Sequence, residues 1–274
     1  MWKKKFIHGI YLIEIRIRGG FMMVDLHCHI LPGLDDGAAN ERESLRMMRS
    51  AVKEGITIIS ATPHKNRAYT AERKTILAAV KRLNELINEH GLDLKIVPGQ
   101  EIRLYGEIVE DYRSQKLITL GGDTRYILIE FPSDHVPEYT DHLFYNIRGQ
   151  RLRPIIAHPE RNTYFLKHPE KLIELVEQGA FIQITAASVV GSFGKKVQKL
   201  AYELMEASVV HIIASDAHNV ATRGFQMKEA FALLEKKYGP NYVRILKRNA
   251  EEALKGNIIS GAPLFKRKKI LGIF

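Results

Sequence analysis

Histidine, aspartate and glutamate recur in short groups along this sequence. His27 and His29 are two residues apart, and Asp216 and His218 repeat that spacing near the other end of the chain. Residues two apart in a strand point to the same side, so each pair can present two ligands to one ion. Further single candidates lie between the pairs: Asp36, His64, Glu101, Glu130 and His158. This mixture of imidazole nitrogen and carboxylate oxygen suits manganese, iron or zinc better than calcium, which prefers an all-oxygen shell.

The candidate ligands follow short apolar runs rich in β-branched residues, which is the pattern of buried strands. The predicted strands cover residues 23–29, 56–64, 94–103, 126–131, 154–158, 181–188 and 210–216. Helical periodicity predicts helices near 40–54, 71–90, 106–115, 137–149, 168–178, 194–207 and 225–238, with a last one at 240–255. Seven β-then-α units predict a single α/β domain with a parallel sheet, closed into a distorted (β/α)7 barrel of the TIM type.

In a barrel of this kind, the carboxyl ends of the strands and the loops after them meet at one face. Six of the seven predicted strands end in a histidine, aspartate or glutamate, so these side chains should share one mouth. Carboxylates buried together are costly unless cations neutralise them, and we therefore predict a metal site there. An open doubly wound sheet is the alternative, but no G-x-G-x-x-G follows the first strand to support its dinucleotide-binding form.

The single cysteine, Cys28, raises the alternative of a thiol nucleophile. It lies between two histidines that face the site, so strand alternation turns its side chain away. The C-x5-R pattern of cysteine phosphatases is also missing, because Leu34 stands where the arginine would be. These observations favour metal chemistry over a thiol mechanism.

The net charge of +10 is concentrated at the two ends of the chain, which argues against nucleic acid as a partner. The basic tail, residues 263–274, suits contact with an anionic membrane surface instead. No apolar run approaches the roughly 18–20 residues that span a bilayer. One cysteine cannot form an internal disulfide, and we expect a cytoplasmic protein.

Residues 1–22 form an N-terminal extension ahead of the predicted domain at 23–262. The codons for residues 18–21 can contain a bacterial ribosome-binding sequence, so one interpretation is that native translation starts at Met22 or Met23. The alternative is a true amphipathic arm. The intact mass of protein made from the native gene distinguishes the two.

The motifs, taken in order, resemble the polymerase-and-histidinol-phosphatase (PHP) family. The resemblance rests on Asp25-Leu26-His27-Cys28-His29, Thr62-Pro63-His64, Gly99-Gln100-Glu101, His158-Pro159 and Ser215-Asp216-Ala217-His218. Within that family the chain is most similar to the bacterial capsule-biosynthesis tyrosine phosphatases, through residues 29–38 and 158–162. The resemblance covers residues 23–262.

This resemblance implies three divalent ions, manganese first and iron or zinc as alternatives. His27, His29, Glu101 and Asp216 would hold the first ion, and Glu101, Glu130 and His158 the second. Asp36, His64 and His218 would hold the third, with Asp36 preferred over Asp35. Arg161 and Arg223, each in a loop after a strand, are the candidates for stabilising charge on the phosphoryl oxygens.

The implied function is a metal-dependent protein-tyrosine phosphatase. Its substrates would be a phosphotyrosine-bearing bacterial tyrosine kinase and other phosphotyrosyl proteins, and it would act in capsule or exopolysaccharide regulation. The alternatives are a small-molecule phosphatase such as histidinol-phosphatase, and a PHP-type exonuclease. An amidohydrolase is less well supported, because the fourth predicted strand ends in Glu130 where that family usually supplies a lysine.

Overall fold

The computed structural model describes residues 4–7, 10–13 and 22–261. Near the N-terminus, β1 (Lys4–Ile7) and β2 (Ile10–Ile13) pair as an antiparallel hairpin. The basic tail at 263–274 and most of the N-terminal extension lie outside the described residues. The predicted domain limits therefore stay predictions.

The domain alternates strands and helices as its sequence pattern predicts. Its strands are β3 (Met23–Cys28), β4 (Ile56–Ala61), β5 (His64–Lys65), β6 (Lys95–Pro98), β7 (Glu101–Arg103), β8 (Tyr126–Glu130), β9 (Arg153–Ala157), β10 (Phe181–Thr185) and β11 (Ile212–Ala214). Its helices are α1 (Glu41–Glu54), α2 (Arg73–Glu89), α3 (Ile108–Arg113), α4 (Thr140–Gly149), α5 (Glu170–Glu177), α6 (Ala186–Val190), α7 (Lys195–Glu206), α8 (Met227–Tyr238) and α9 (Pro240–Leu254).

The strands of the domain pair in parallel in two sheets. One sheet has the order β11-β10-β9-β8-β7-β5, and the other has the order β3-β4-β6. The chain passes between the sheets three times, from β4 into β5, from β5 back into β6 and from β6 into β7. The outer strands β3 and β11 of the two sheets also meet. The Asp216 amide, after β11, donates to the His27 carbonyl of β3 at 2.8 Å, and Cys28 forms a parallel bridge with Ala217. The predicted α/β class and parallel pairing are confirmed.

Two predicted strands are wrong in extent. The segment 56–64 is divided at Thr62-Pro63, where proline removes a backbone donor from the ladder. The segment 94–103 is divided at Gly99, where a Cβ atom would lie 2.6 Å from Ser60 Oγ. Strand pairing therefore gives two sheets and not one closed ring. The predicted strand 181–188 is also too long, because residues 186–190 form α6.

Strand alternation divides the apolar side chains between two cores. Along β8, Tyr126 and Leu128 belong to the smaller core, enclosed by the strands. Ile127 and Ile129 belong to the larger core, which includes residues of the surrounding helices. Because both faces of the strands are buried, polar side chains are displaced to the strand ends. Among the described residues, no helix has the length and apolar character to cross a bilayer.

Candidate metal centre

Seven of the nine predicted ligand residues lie at the carboxyl end of a strand or in the loop after it, and the other two, His64 and Glu101, are the first residues of the short strands β5 and β7. Their potential ligand atoms form four overlapping groups in which all atoms lie within 4.8 Å of one another. The groups are His29, Asp36, His64 and His218; His27, His29 and Glu101; His27, His158 and Asp216; and His64, Glu101 and Glu130. Parallel pairing explains this convergence, since it brings the carboxyl ends of neighbouring strands to one edge.

Glu101, the first residue of β7, lies at the centre of the cluster and is fully buried. Its Oε2 lies 3.3 Å from Nε2 of His27 and 3.3 Å from Nε2 of His29. The same oxygen is 2.8 Å from His64 Nδ1, and Oε1 is 2.8 Å from His158 Nε2. One carboxylate therefore contacts four imidazoles from three other strands and their loops, a geometry suited to bridging two ions.

Asp216 joins the histidines of the first strand to the two candidate arginines. Its Oδ1 lies 3.3 Å from His27 Nε2 and 3.2 Å from His29 Nε2. Its Oδ2 accepts from Arg161 and, at 2.9 Å, from Arg223. The two arginines thus reach the edge of the cluster from different loops.

The two aspartates after β3 have different environments. Asp36 Oδ1 is 3.4 Å from both His64 Nε2 and His218 Nε2, and its side chain is 43% exposed. Asp35 is nearly buried, and its carboxylate accepts from His29 Nδ1 at 2.7 Å and from the His64 amide at 3.0 Å. Asp36 therefore stays the predicted ligand of this turn, whereas Asp35 is hydrogen-bonded to His29.

Four buried atoms of the cluster lack a hydrogen-bond partner: His64 Nδ1, Glu101 Oε2, Glu130 Oε2 and His218 Nε2. The first two lie 2.8 Å apart, but not in hydrogen-bonding geometry. Of these atoms, Glu130 Oε2 has a nearby cation, since it lies 3.1 Å from Arg103 Nε. A buried polar atom left without a partner costs roughly 1–3 kcal/mol, so the cluster favours a further partner. A divalent ion would satisfy imidazole nitrogen and carboxylate oxygen together. The residues present therefore fit a metal centre.

The electrostatics of the cluster also favour added positive charge. Burial and the negative charge of Glu101 raise the pKa of Glu130 to about 7. Burial opposes protonation of His27, but Glu101 and Asp216 outweigh it and raise its pKa. Burial, together with the positive charge of Arg161, lowers the pKa of His158 to about 4. Burial, together with the positive charge of His29, lowers the pKa of His218 to about 3. Neutral imidazole is the form that binds metals.

Three histidines have their second ring nitrogen fixed by an acceptor. His27 Nδ1 donates to Gln183 Oε1 at 3.0 Å, and His29 Nδ1 donates to Asp35. His218 Nδ1 donates to the Asp216 carbonyl at 2.9 Å. Such partners set the tautomer and leave Nε2 free for an ion. Sequence reasoning missed Gln183, although a lone polar residue inside the apolar strand β10 is a signal.

Backbone geometry at the strand ends is unusual. His158 and Asp216 have φ angles of 32° and 53°, in the left-handed region that residues other than glycine rarely adopt. At Gly37 a Cβ atom would lie 2.0 Å from the His29 carbonyl oxygen, so only glycine lets the Asp35-Asp36 turn close onto β3. Strain of this kind is concentrated at functional sites.

A small cavity of about 100 Å³ opens beside the cluster, between Glu130, His158 and Arg161. Pockets that enclose a small molecule are usually of the order of 300–1,000 Å³, so this cavity is too small to enclose one. Arg161 is 26% exposed and Arg223 is 31% exposed, which leaves guanidinium donors available at the rim.

A parallel α/β fold that gathers histidines and carboxylates at its strand ends is typical of metal-dependent hydrolases. The chain belongs to the family described as "Capsular polysaccharide synthesis, CpsB/CapC", which it matches over residues 23–255.

Several relatives resemble the chain over most of its length. It is 45% identical over 255 residues to tyrosine-protein phosphatase YwqE of Bacillus subtilis (strain 168), covering 92% of this chain and 100% of the relative. It is 31% identical over 224 residues to tyrosine-protein phosphatase CpsB of Streptococcus pneumoniae, covering 79% of this chain and 91% of the relative.

Solved structures agree with the sequence matches. A chain from the crystal structures of YwqE from Bacillus subtilis and CpsB from Streptococcus pneumoniae, described as unique metal-dependent tyrosine phosphatases, superposes with a TM-score of 0.86 at 45% identity. This match covers 90% of the present chain and 100% of that chain. A β-aspartyl dipeptidase from Fervidobacterium islandicum AW-1, 15% identical with a TM-score of 0.51, covers 88% and 77% and shows likeness of fold alone.

Proposed function

We propose that this chain is a metal-dependent protein-tyrosine phosphatase that acts in capsule or exopolysaccharide regulation. The observation that carries the proposal is a buried histidine–carboxylate cluster with four unpaired ligand atoms beside two arginines. The names of its relatives support the same reaction. The chain is accordingly a phosphoric monoester hydrolase of the protein-tyrosine-phosphatase type.

Nine residues would hold three divalent ions, with manganese the first choice. The proposed assignment is His27, His29, Glu101 and Asp216 for one ion, Glu101, Glu130 and His158 for a second, and Asp36, His64 and His218 for a third. The support is the short distances within each group and the unpaired atoms at His64, Glu101, Glu130 and His218. Iron and zinc share these ligand preferences.

When bound, such ions supply Lewis-acid stabilisation of phosphoryl oxygens and activate water for attack on phosphorus. The chain's own contribution is positioning and charge. Arg161 and Arg223 present planar forks of donors that suit phosphoryl oxygens, and Asp216 orients both guanidinium groups. A tyrosine leaving group has a pKa of about 10, so it requires less proton donation than an alkoxide.

The small size of this cavity supports a protein substrate. A phosphotyrosine side chain can reach the cluster while its main chain stays outside a cavity of about 100 Å³. We propose a phosphorylated bacterial tyrosine kinase as the principal partner, with other phosphotyrosyl proteins also accepted. Action on such a kinase places the chain in the cytoplasm, and the basic tail at 263–274 would contact an anionic membrane.

The closed barrel and the wider family are also proposals. Hydrogen bonds from Asp216 to His27 and from His29 to Ala217 support closure of the two sheets into a distorted (β/α)7 barrel. The order of the five motifs from Asp25 to His218 supports membership of the PHP family.

A side-by-side assay tests the proposed function. The manganese-loaded protein is given a phosphotyrosyl peptide, the matched phosphoseryl peptide, histidinol phosphate and single-stranded DNA. We expect rapid hydrolysis of the phosphotyrosyl peptide alone, because the shorter serine reaches less far and leaves as a poorer alkoxide. Preference for histidinol phosphate or DNA would replace this function with one of the two alternatives.

A further inference from the structure

An exposed aromatic ring borders the proposed phosphoryl site. Phe193 lies in the loop between α6 and α7, and its side chain is 36% exposed. The guanidinium carbon of Arg161 lies 4.9 Å from the centre of the Phe193 ring. The same guanidinium pairs with Asp216 at the edge of the cluster. An apolar surface therefore adjoins the group proposed to bind phosphoryl oxygens.

The loop that carries Phe193 is held at both ends. Gly191 and Gly194 have φ angles of 99° and 88°, in the region that favours glycine. The Gly194 amide donates to the Gly191 carbonyl at 2.9 Å, which closes a tight turn. Ser192 Oγ donates to Gln226 Oε1 at 3.0 Å and so ties this loop to the one after β11, which carries Arg223. The position of Phe193 is therefore defined by its loop.

Other exposed apolar side chains do not share this position. Single exposed apolar residues are common and need no explanation of their own. Among the described residues, Tyr145 and Ile258 are more exposed than Phe193, but the guanidinium of Arg161 lies over the ring of Phe193 and not over that of Tyr145. Tyr69 is a further aromatic residue near the ligands, and its ring already stacks on His64 at 5.9 Å.

We infer that Phe193 contacts the aromatic ring of the substrate while Arg161 binds its phosphoryl group, and that this contact makes the site favour aryl over alkyl phosphates. The inference rests on the proposed function. In phosphotyrosine, one oxygen joins the ring to phosphorus, so the ring must lie close to whatever binds the phosphoryl group. Phe193 is exposed and adjoins Arg161, so it can meet that ring edge-to-face or offset.

The test separates recognition of the ring from recognition of the phosphoryl group. Phenylphosphonate and methylphosphonate carry the same anionic group with and without a ring, and neither has a leaving group. Their affinities for the manganese-loaded protein are measured by calorimetry, and the phenyl-to-methyl affinity ratio is the readout. Phe193→Leu should lower this ratio by roughly three- to tenfold, the usual worth of an aromatic contact.

Two variants serve as controls. Tyr145→Leu removes an aromatic ring that is 68% exposed on α4, away from the cluster, and should leave the ratio unchanged. Arg161→Lys is the control for phosphoryl binding and should weaken both phosphonates, because lysine lacks the planar fork of donors.

Three results would overturn the inference. Equal weakening of both phosphonates by Phe193→Leu would mean that the ring only positions Arg161. No weakening of either would mean that the ring contacts neither ligand, and a wild-type ratio near one would mean that the site does not recognise a ring. Failure of the proposed function is a separate result, namely no hydrolysis of phosphotyrosyl peptide by the wild type.

Discussion

Two histidines at the centre of the cluster are hydrogen-bonded to side chains that are not predicted ligands. Gln183 accepts from His27 and Asp35 accepts from His29, and both contacts leave Nε2 directed at Glu101 and Asp216. Neither acceptor is itself a predicted ligand, although Asp35 also accepts from the His64 amide at 3.0 Å. Their role is to choose the tautomer and to limit ring rotation, which raises affinity for a metal without adding a ligand.

Replacing Gln183 should therefore weaken metal binding. Gln183→Leu removes the acceptor for His27 Nδ1, and we expect a loss in manganese affinity of roughly 10- to 100-fold. Gln183→Glu keeps an acceptor at that place and should retain most of the affinity. Competition with a chromophoric chelator measures both, and unchanged affinity in Gln183→Leu would remove the role assigned to this side chain.

Arg161 is predicted to act on the phosphoryl group. Arg161→Ala should lower kcat/KM for phosphotyrosyl peptide by roughly two to three orders of magnitude with metal content retained, as for loss of a preorganised charge-stabilising donor. Arg161→Lys should recover only part of this, since lysine lacks the planar fork. Near-normal turnover by a metal-loaded Arg161→Ala protein would assign the role to Arg223 or to no arginine.

Cys28 should take no part in catalysis. It is fully buried in the larger core, its Sγ lies 3.5 Å from the Ala217 carbonyl oxygen, and burial holds the pKa of the thiol well above its usual value. A protonated, enclosed thiol is a poor nucleophile. Cys28→Ser should keep most phosphatase activity. A large loss of turnover at unchanged metal content would instead point to thiol chemistry.

The candidate ligands could be predicted because strand ends are visible in sequence and ligand types are few. His27 and His29 follow from alternation alone, and Glu101 from its place after an apolar run. The roles of Asp35 and Gln183 could not be predicted, because they depend on contacts between strands distant in sequence. Phe193 was missed for the same reason, since nothing local relates its loop to Arg161.

At the scale of elements, periodicity located the helices within a few residues. The strands at 56–64 and 94–103 were predicted whole, because an apolar run shows where a strand can form and not where its partner changes. The division at Pro63 and Gly99 depends on the close approach of Ser60 to Gly99, a contact between neighbouring strands. These breaks place His64 and Glu101 at the start of new strands, where they face the cluster.

His211 joins three elements at the opposite end of β11. Its Nδ1 accepts from the Ile182 amide at 3.1 Å, and its carbonyl accepts from Asn249 of α9. Burial lowers the pKa of His211 to about 4. In the unfolded chain a histidine binds its proton near pH 6.5. The contribution of neutral His211 to the free energy of unfolding is therefore complete above pH 6.5 and is lost as the pH falls towards 4.

His211→Asn should therefore reduce the acid sensitivity of folding, because an amide oxygen can accept from Ile182 without titrating. Between pH 7 and 4.5 the wild type should lose about 2–3 kcal/mol more of its free energy of unfolding than the variant. Denaturant titration of both metal-free proteins measures the difference. The exposed His142→Asn serves as the control, and equal pH dependence in wild type and His211→Asn would contradict the assignment.

For the whole molecule, residues 29–38 and 158–162 predicted membership of the capsule-biosynthesis tyrosine phosphatases, and this is confirmed by the family match and by the relatives. Manganese as the native metal and a kinase as the partner stay predictions. The metal stays a prediction because manganese, iron and zinc share ligand types. The partner stays a prediction because a small cavity contacts little of a protein substrate.

Phosphotyrosine hydrolysis is expected to require metal in the cluster around Glu101. The direct measurement is turnover of a phosphotyrosyl peptide by protein stripped with chelator, with metal content verified as nil, and then titrated with manganese. We expect no turnover at first and recovery as bound manganese approaches the proposed three ions per chain, whereas calcium, which prefers all-oxygen shells, should not restore it. Full turnover by verified metal-free protein would contradict the proposed metal requirement.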